Sequence, residues 1–309
     1  MATEPMAAVL DGPCVHVCRL GTSSVLSDYW ELTKPEINFL IAFTTASGFW
    51  MGTAAALPDY PWMRFLQSLL GTTLVASGAA TLNQLIELPY DAQMRRTARR
   101  PLPSGRIAPS HALWFGVALS VLGVADLAIS TNVLAALLAA LTLLSYLCLY
   151  TPLKRITPLC TLVGAIPGAA PPLIGWAAAR GRLDADAWAL FAMVFLWQFP
   201  HFMSIAWIYR DDYPRAGFLV LPAGEHRDRF VIWQTVAAAV FLLGVGLIPA
   251  VSRLSGFIYF GGAFALGGIL LHFSVRFAMH RTNVTARQLL LVSVLYLPAV
   301  FALLVLDKT

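Results

Sequence analysis

Long apolar runs alternate with short polar segments along almost the whole chain. Crossing the hydrocarbon core of a bilayer takes about 20 apolar residues. Nine runs approach that length: 37–57, 63–82, 112–130, 132–150, 160–179, 187–207, 231–250, 255–274 and 288–306. The pattern predicts an all-α membrane protein with nine transmembrane helices. The third and fourth runs meet at Ser130-Thr131-Asn132, which demands a very tight turn. The fifth carries Gly164, Pro167, Gly168, Pro171, Pro172 and Gly175, and so predicts a poor regular helix. Interruptions of that kind survive at membrane depth only where neighbouring protein or a cavity satisfies the freed backbone groups. Residues 1–26 hold no sustained apolar run and read as a flexible N-terminal tail, leaving 27–309 as a single intramembrane domain.

Composition supports this reading. The chain is 58% hydrophobic and 12% charged, whereas a soluble domain carries about 25% charged residues. The net charge of +5 does not imply nucleic-acid binding; what matters is where the cations fall. With the N-terminus inside, the inner segments hold Arg19, Lys34, the Arg95–Arg106 cluster, Lys154, Arg155, Arg210, Arg215, Arg227, Arg229, Arg276, Arg281 and Arg287. The outer segments hold Arg64, Arg180, Arg182, Arg253 and Lys308. This bias follows the positive-inside rule and puts the N-terminus in the cytoplasm and the C-terminus in the periplasm. No basic segment leading into an apolar run marks a secretory signal, and no arginine-rich transit pattern is present. A bacterial inner membrane is expected, with the mitochondrial inner membrane as the alternative. Cys14, Cys18, Cys148 and Cys160 are too few and scattered for a disulfide framework. Cys14-Val15-His16-Val17-Cys18 has a faint metal-site look but no second pair of ligands.

The polar groups with chemical potential gather on the inner side. Asn83, Glu87 and Asp91 lie four apart at the end of the second run, and Arg95-Arg96-Thr97-Ala98-Arg99-Arg100 follows. Positions i and i+4 share a helix face, so Asn83 and Glu87 point the same way. Pro89 disfavours helix at Leu88 and predicts an end or kink, with Asp91 swung in by a turn. Carboxylates at the mouth of a membrane helix are costly without a cation. Mg²⁺ takes oxygen ligands and shares them with phosphate oxygens, and the arginines suit the rest of an anionic head group. The plainer reading is a solvated helix end.

A second acidic motif, Asp211-Asp212-Tyr213, ends the sixth run. Two acidic groups facing one cavity suit a diphosphate leaving from an allylic carbon, its developing charge held by metal and cations. The allylic cation left behind needs a dry, aromatic-lined pocket. Lys154 and Arg155 lie on the same side and could bind phosphate, or could simply anchor the chain at the inner surface. His201, in Trp197-Gln198-Phe199-Pro200-His201-Phe202, could ligate haem iron, act as a base, or serve packing. His111, His226, His272 and His280 lack such company and read as surface or loop residues. A transporter would also suit a broken fifth run, but no internal repeat is visible and the polar groups cluster at one face.

From Leu32-Thr33-Lys34-Pro35 to the last run, the chain resembles the UbiA-type intramembrane prenyltransferases, and among them the branch that farnesylates haem. The blocks that carry the likeness are Asn83-Gln84 to Glu87, Asp91, Met94, Arg96-Thr97, Arg99-Arg100-Pro101-Leu102-Pro103 and Gly105. They continue with Tyr150–Arg155, Gly164–Trp176, Trp197–Phe202 and Asp212-Tyr213. The resemblance implies a nine-helix bundle around a central cavity, using Mg²⁺ and farnesyl diphosphate. It implies haem B as the acceptor, whose vinyl group gains farnesyl and water to give haem O for haem–copper oxidases. Haem A synthase and terminal-oxidase assembly factors are the implied protein partners. The implied catalytic set is Asn83, Glu87, Asp91 and Asp212, with Glu87, Asp91 and Asp212 on Mg²⁺ and Asp211 a weaker choice. Arg96, Arg99, Arg100, Lys154 and Arg155 would hold diphosphate, and His201 would bind haem or act as a base. The chain departs from many members by carrying Glu87 and Pro89 where they carry aspartates, which bears on how many ions this motif holds alone.

Overall fold

The computed structural model describes residues 24–54, 59–222, 224 and 226–309. The Cys14–Cys18 motif lies outside the described residues. Among those described there is no strand, only an isolated bridge between Ser255 and Lys308. A short helix, α1 (Val25–Leu32), comes first among the described residues; Ser24 caps it by accepting from the Ser27 amide. The expected end of the tail at residue 26 therefore falls inside α1.

After α1 comes α2 (Pro35–Gly52), then α3 (Trp62–Ile86) and the four-residue α4 (Leu88–Asp91). The remaining long helices are α5 (Pro109–Ser130), α6 (Val133–Leu153), α7 (Cys160–Arg180), α8 (Ala185–Ile208), α9 (His226–Val251), α10 (Phe257–His280) and α11 (Asn283–Leu306). Eight of them, α3 and α5–α11, are long and apolar enough to cross a membrane. The 18-residue α2 is less apolar because Glu36 and Asn38 lie in its first turns. At about 1.5 Å per residue it still rises roughly 27 Å.

Most of the expected runs lie within these helices, but 37–57 runs past the end of α2 at Gly52, 132–150 and 255–274 begin one and two residues ahead of α6 and α10, and several helices extend beyond their runs. α10 reaches His280 and α11 begins at Asn283, where Thr282 and Thr285 form a reciprocal cap. Polar residues at the membrane surface end an apolar run without ending the helix, because the backbone bonds continue through them. The tight turn between α5 and α6 is present: Asn132 caps α6 by accepting from the Ala135 amide. In α7 the chain breaks at Ala170, just before Pro171.

Small residues set how closely the helices approach, as is usual between membrane helices. A Cβ on Gly78 would stand 2.7 Å from the Gly116 carbonyl, and one on Gly123 would stand 2.6 Å from the Gly71 carbonyl, so α3 and α5 meet backbone to backbone. A Cβ on Gly175 would stand 2.0 Å from the Thr45 carbonyl, which fixes α7 against α2. The main core lies among α8, α10 and α11, around Met193, Trp197, Leu270, Phe277, Leu297 and Phe301. Large apolar side chains such as Ile129, Phe257 and Leu306 face outward, as lipid requires.

Each end of the bundle is tied by cations. At one end Arg180 Nε donates to the Gly52 carbonyl at 2.6 Å and Lys308 Nζ to the Trp50 carbonyl at 2.6 Å. Positive charge at a helix C-terminus opposes the helix dipole favourably, and here it closes α2. At the other end Arg106 joins α1 to the arginine-rich loop, with Nε 2.8 Å from Asp28 Oδ1 and Nη1 2.9 Å from the Arg99 carbonyl.

Candidate active site

Pro89 turns the chain as the sequence leads one to expect. α3 stops at Ile86, Glu87 links it to α4, and the Asp91 amide closes the turn on the Glu87 carbonyl at 2.8 Å. The turn buries both acids, leaving Glu87 5% and Asp91 1% exposed. Each faces a cation: Lys154 Nζ is 2.7 Å from Glu87 Oε1, and Arg100 Nη1 is 2.6 Å from Asp91 Oδ2. Thr97 donates to the Asp91 carbonyl at 2.8 Å, holding the arginine loop against the turn. Asn83 is buried one turn before Glu87, and its Nδ2 donates to Thr151 Oγ1 at 3.0 Å. The chain from α6 thus brings Lys154 and Thr151 onto the acidic face of α3. A π-helical turn over Ser145–Tyr150 precedes them; such turns recur at functional sites.

Lys34 also belongs to this cluster. Its Nζ lies 3.4 Å from Asn83 Oδ1. The residue sits in the left-handed region (φ 52°) directly before Pro35, a conformation uncommon for a side-chain-bearing residue and held only when surroundings enforce it. Burial, with the charges of Arg100 and Lys154, pulls the Lys34 amine down to about 7, against the pull of Glu87 and Asp91. Burial also opposes the Lys154 charge, but Tyr150, Glu87 and Tyr146, with the Glu87 hydrogen bond, outweigh it and hold that amine well above the usual lysine value. The cluster therefore holds one secure lysine cation and one marginal one. The marginal one predicts a pH effect. Between about 7 and the ordinary lysine value the folded state holds Lys34 neutral while the unfolded chain keeps its proton. Unfolding then takes up a proton, so stability rises with pH across that window. Melting curves in detergent should show this slope, and Lys34→Met should flatten it; an unchanged slope in the variant would refute the assignment.

The second acidic motif lies on the loop that covers this cluster. Tyr90 meets Phe218 edge-on at 5.8 Å, and Met94 packs with Ala216 and Phe218. The Leu219 amide donates to the Lys154 carbonyl at 2.6 Å, and the Arg96 guanidinium lies over the Tyr209 ring at 5.0 Å. Asp212 is partly buried and pairs with Arg215 at 3.5 Å, while Asp211 is exposed. Among the described residues no three His, Cys, Asp or Glu side chains share one metal-sized space; the acids stand with their own cations. Of the remaining cations, Arg155 lies over Tyr90 and donates to its hydroxyl. Arg99 is exposed, with its carbonyl taken by Arg106.

His201 is set apart from these acids, on α8. It stacks on Trp197 (4.8 Å, 21°) and its Nδ1 lies 3.0 Å from Ser293 Oγ on α11. Gln198 donates to the Ala165 carbonyl at 2.9 Å, tying α8 to α7. His111, His226, His272 and His280 are all exposed, as expected. Lys34 and Ser293 are the two residues that sequence reasoning left out of the site. A lysine before a proline that opens an apolar run was the available signal for the first; a serine inside an apolar run gives none for the second.

Known proteins resemble the chain in both sequence and fold. The chain matches the UbiA prenyltransferase family over residues 41–304. It is 49% identical over 289 residues to a protoheme IX farnesyltransferase of Solibacter usitatus, covering 92% of this chain and 99% of that one. It is 46% identical over 315 residues to a protoheme IX farnesyltransferase of Koribacter versatilis, covering 99% and 98%. Among solved structures, a digeranylgeranylglyceryl phosphate synthase superposes with a TM-score of 0.73 at 16% identity, over 91% of this chain and 98% of that one. A UbiA homolog from Archaeoglobus fulgidus bound to GPP and Mg²⁺ superposes with a TM-score of 0.61 at 17% identity, over 90% and 99%. At those identities the structural likeness speaks for the fold, and the sequence likeness speaks for the family. The chain belongs to the UbiA prenyltransferase family and, within it, groups with the protoheme IX farnesyltransferases.

Proposed function

We propose that this protein transfers the farnesyl group of farnesyl diphosphate to a vinyl group of haem B, with addition of water, and so makes haem O for haem–copper terminal oxidases. The observation that carries the reading is the buried cluster of Glu87, Asp91 and Asn83 against Lys34, Lys154 and Arg100. An acidic face with cations beside it suits a diphosphate shared between metal and protein. The names of the curated relatives supply the acceptor.

The donor set suits Mg²⁺, since Glu87 and Asp91 offer hard carboxylate oxygens, paired in this structure with the Lys154 and Arg100 side chains. Glu87 and Asp91 would hold the ion with Asn83, and Asp212 would join from the covering loop. Mg²⁺, when bound, neutralises the diphosphate and steadies the departing oxygen. Lys154, Arg100 and Lys34 are then free to turn to phosphate oxygens, with Arg96, Arg99 and Arg155 at the rim. As the farnesyl C1–O bond breaks, pyrophosphate leaves with the electron pair. C1 bonds to the terminal vinyl carbon, and the inner vinyl carbon takes the oxygen of water, which gives up a proton. In this reading His201 would meet the porphyrin. Its neighbours are the Trp197 and Phe202 rings and the Ser293 hydroxyl, neutral groups that suit a neutral imidazole acting as iron ligand to the substrate haem.

The cation bias supports α2 as a ninth span, with the site on the cytoplasmic side of a bacterial inner membrane and Thr309 in the periplasm, which a reporter fused after Thr309 reads directly. The decisive test of function is mass spectrometry of haems from cells that lack haem O, with and without this chain. A new haem heavier by farnesyl plus water is expected; haem B alone, with the protein present in membranes, would reject the reading.

A further inference from the structure

Ser293 is fully buried midway along α11, and two side chains one turn apart on α8 converge on it. Trp197 Nε1 donates to its carbonyl at 2.7 Å, while His201 Nδ1 stands 3.0 Å from its hydroxyl. The two rings are stacked on each other. Pro298 lies one turn further along α11 and has no amide to give to the preceding turn, and the Trp197 indole takes a carbonyl next to that gap. The indole thereby fixes both the helix pair and the plane against which the imidazole lies.

The hydroxyl decides the tautomer. Ser293 Oγ is 2.7 Å from the Leu290 carbonyl, an acceptor that can only receive. A serine hydroxyl has one proton and lone pairs to spare. With that proton on the Leu290 carbonyl, the oxygen presents a lone pair to Nδ1, and Nδ1 must be the nitrogen that carries hydrogen. In a neutral imidazole the other nitrogen, Nε2, is then bare. Ligating histidines are generally held this way, with the second ring nitrogen donating to an oxygen that sets tautomer and orientation.

We infer that Ser293 is a positioning residue for His201: it accepts from Nδ1–H, Trp197 fixes the ring plane, and Nε2 is presented as a lone-pair donor to the iron of the substrate haem. This rests on the reading of His201 as the haem-side residue. The full-length protein, purified in detergent, is titrated with haem B while its visible spectrum is followed. KM values for haem B and for farnesyl diphosphate are measured separately. Ser293→Ala should weaken haem binding by about 10–100-fold, the usual effect of removing such a hydrogen bond. It should also diminish the imidazole-ligated spectrum and leave the farnesyl diphosphate KM unchanged. Ser293→Thr, which keeps the hydroxyl, should restore both. If Ser293→Ala does not yield folded protein, Ser293→Cys serves, since a thiol is a weak acceptor of similar size. A wild-type haem spectrum and affinity in the folded Ala or Cys variant overturns the inference. His201→Ala separates the two claims. If it leaves the haem spectrum unchanged, the haem-side reading of His201 fails. If it abolishes the spectrum while the Ser293 variants do not alter it, only the role of Ser293 fails.

Discussion

Asp91→Asn is expected to lower haem O formation by about 10²–10³-fold, the scale of losing one stabilising group at a developing charge. Asp91 is 1% exposed and its Oδ2 receives Arg100 at 2.6 Å. Asparagine keeps the volume and an oxygen for Arg100, so it removes the charge and spares the packing. Alanine would instead leave Arg100 facing a hole, and breaking a buried pair costs about 3–5 kcal/mol, which confuses folding with chemistry. In the proposed mechanism Asp91 does two things in turn: it holds the metal that holds the diphosphate, and it keeps Arg100 in place until substrate arrives. Asp212→Asn should act in the same direction. The double variant should be little worse than the more damaged single variant, because groups that serve one assembly are not additive. Turnover near wild type in membranes containing normal amounts of Asp91→Asn would remove the metal–diphosphate role of this residue.

Gly175→Val is expected to prevent the bundle from assembling. The ideal Cβ at this position would lie 2.0 Å from the Thr45 carbonyl and 2.8 Å from the Phe49 amide. Those atoms are backbone of α2, so no rotamer relieves the clash and the whole helix must move. Overpacking a core typically costs about 1–3 kcal/mol and sometimes more, and here the obstacle is a helix rather than a side chain. The displaced α2 begins beside Lys34, which reaches into the site, so loss of activity should accompany loss of stability. Size-exclusion profiles and melting in detergent check this; a monodisperse variant melting within a few degrees of wild type would show that α2 and α7 are not held as described. Gly261 has open space where its Cβ would sit, so Gly261→Ala is the matching control.

Much of the site was legible because it is local. Asn83, Glu87 and Asp91 follow helical spacing, and Pro89 alone was enough to place a kink that the structure has at Glu87. The arginines follow within ten residues, and Arg100 does pair with Asp91. The spans were legible because lipid tolerates only apolar stretches of bilayer length. Their ends were not, because a helix continues through interfacial polar residues, as α10 does to His280. From the sequence Lys34 is an inner-side charge at the start of the resemblance, and nothing local says that a left-handed turn aims it at Asn83, 49 residues away. Ser293 was invisible for the same reason: its partner His201 is 92 residues distant.

Taken alone, the order of residues determined that the chain is a bundle of membrane helices and that Glu87 and Asp91 end the helix before a run of arginines, and it led to the expectation that the cations favour one side. These follow from hydropathy, charge and helical period, properties that each segment carries by itself. Tertiary structure decided which cation answers which acid, that Lys154 rather than an arginine meets Glu87, and that a serine on the last helix receives His201. Those pairings depend on distances between helices. The distances are set where glycines on α3, α5 and α7 let backbones touch, a condition met only by two surfaces together.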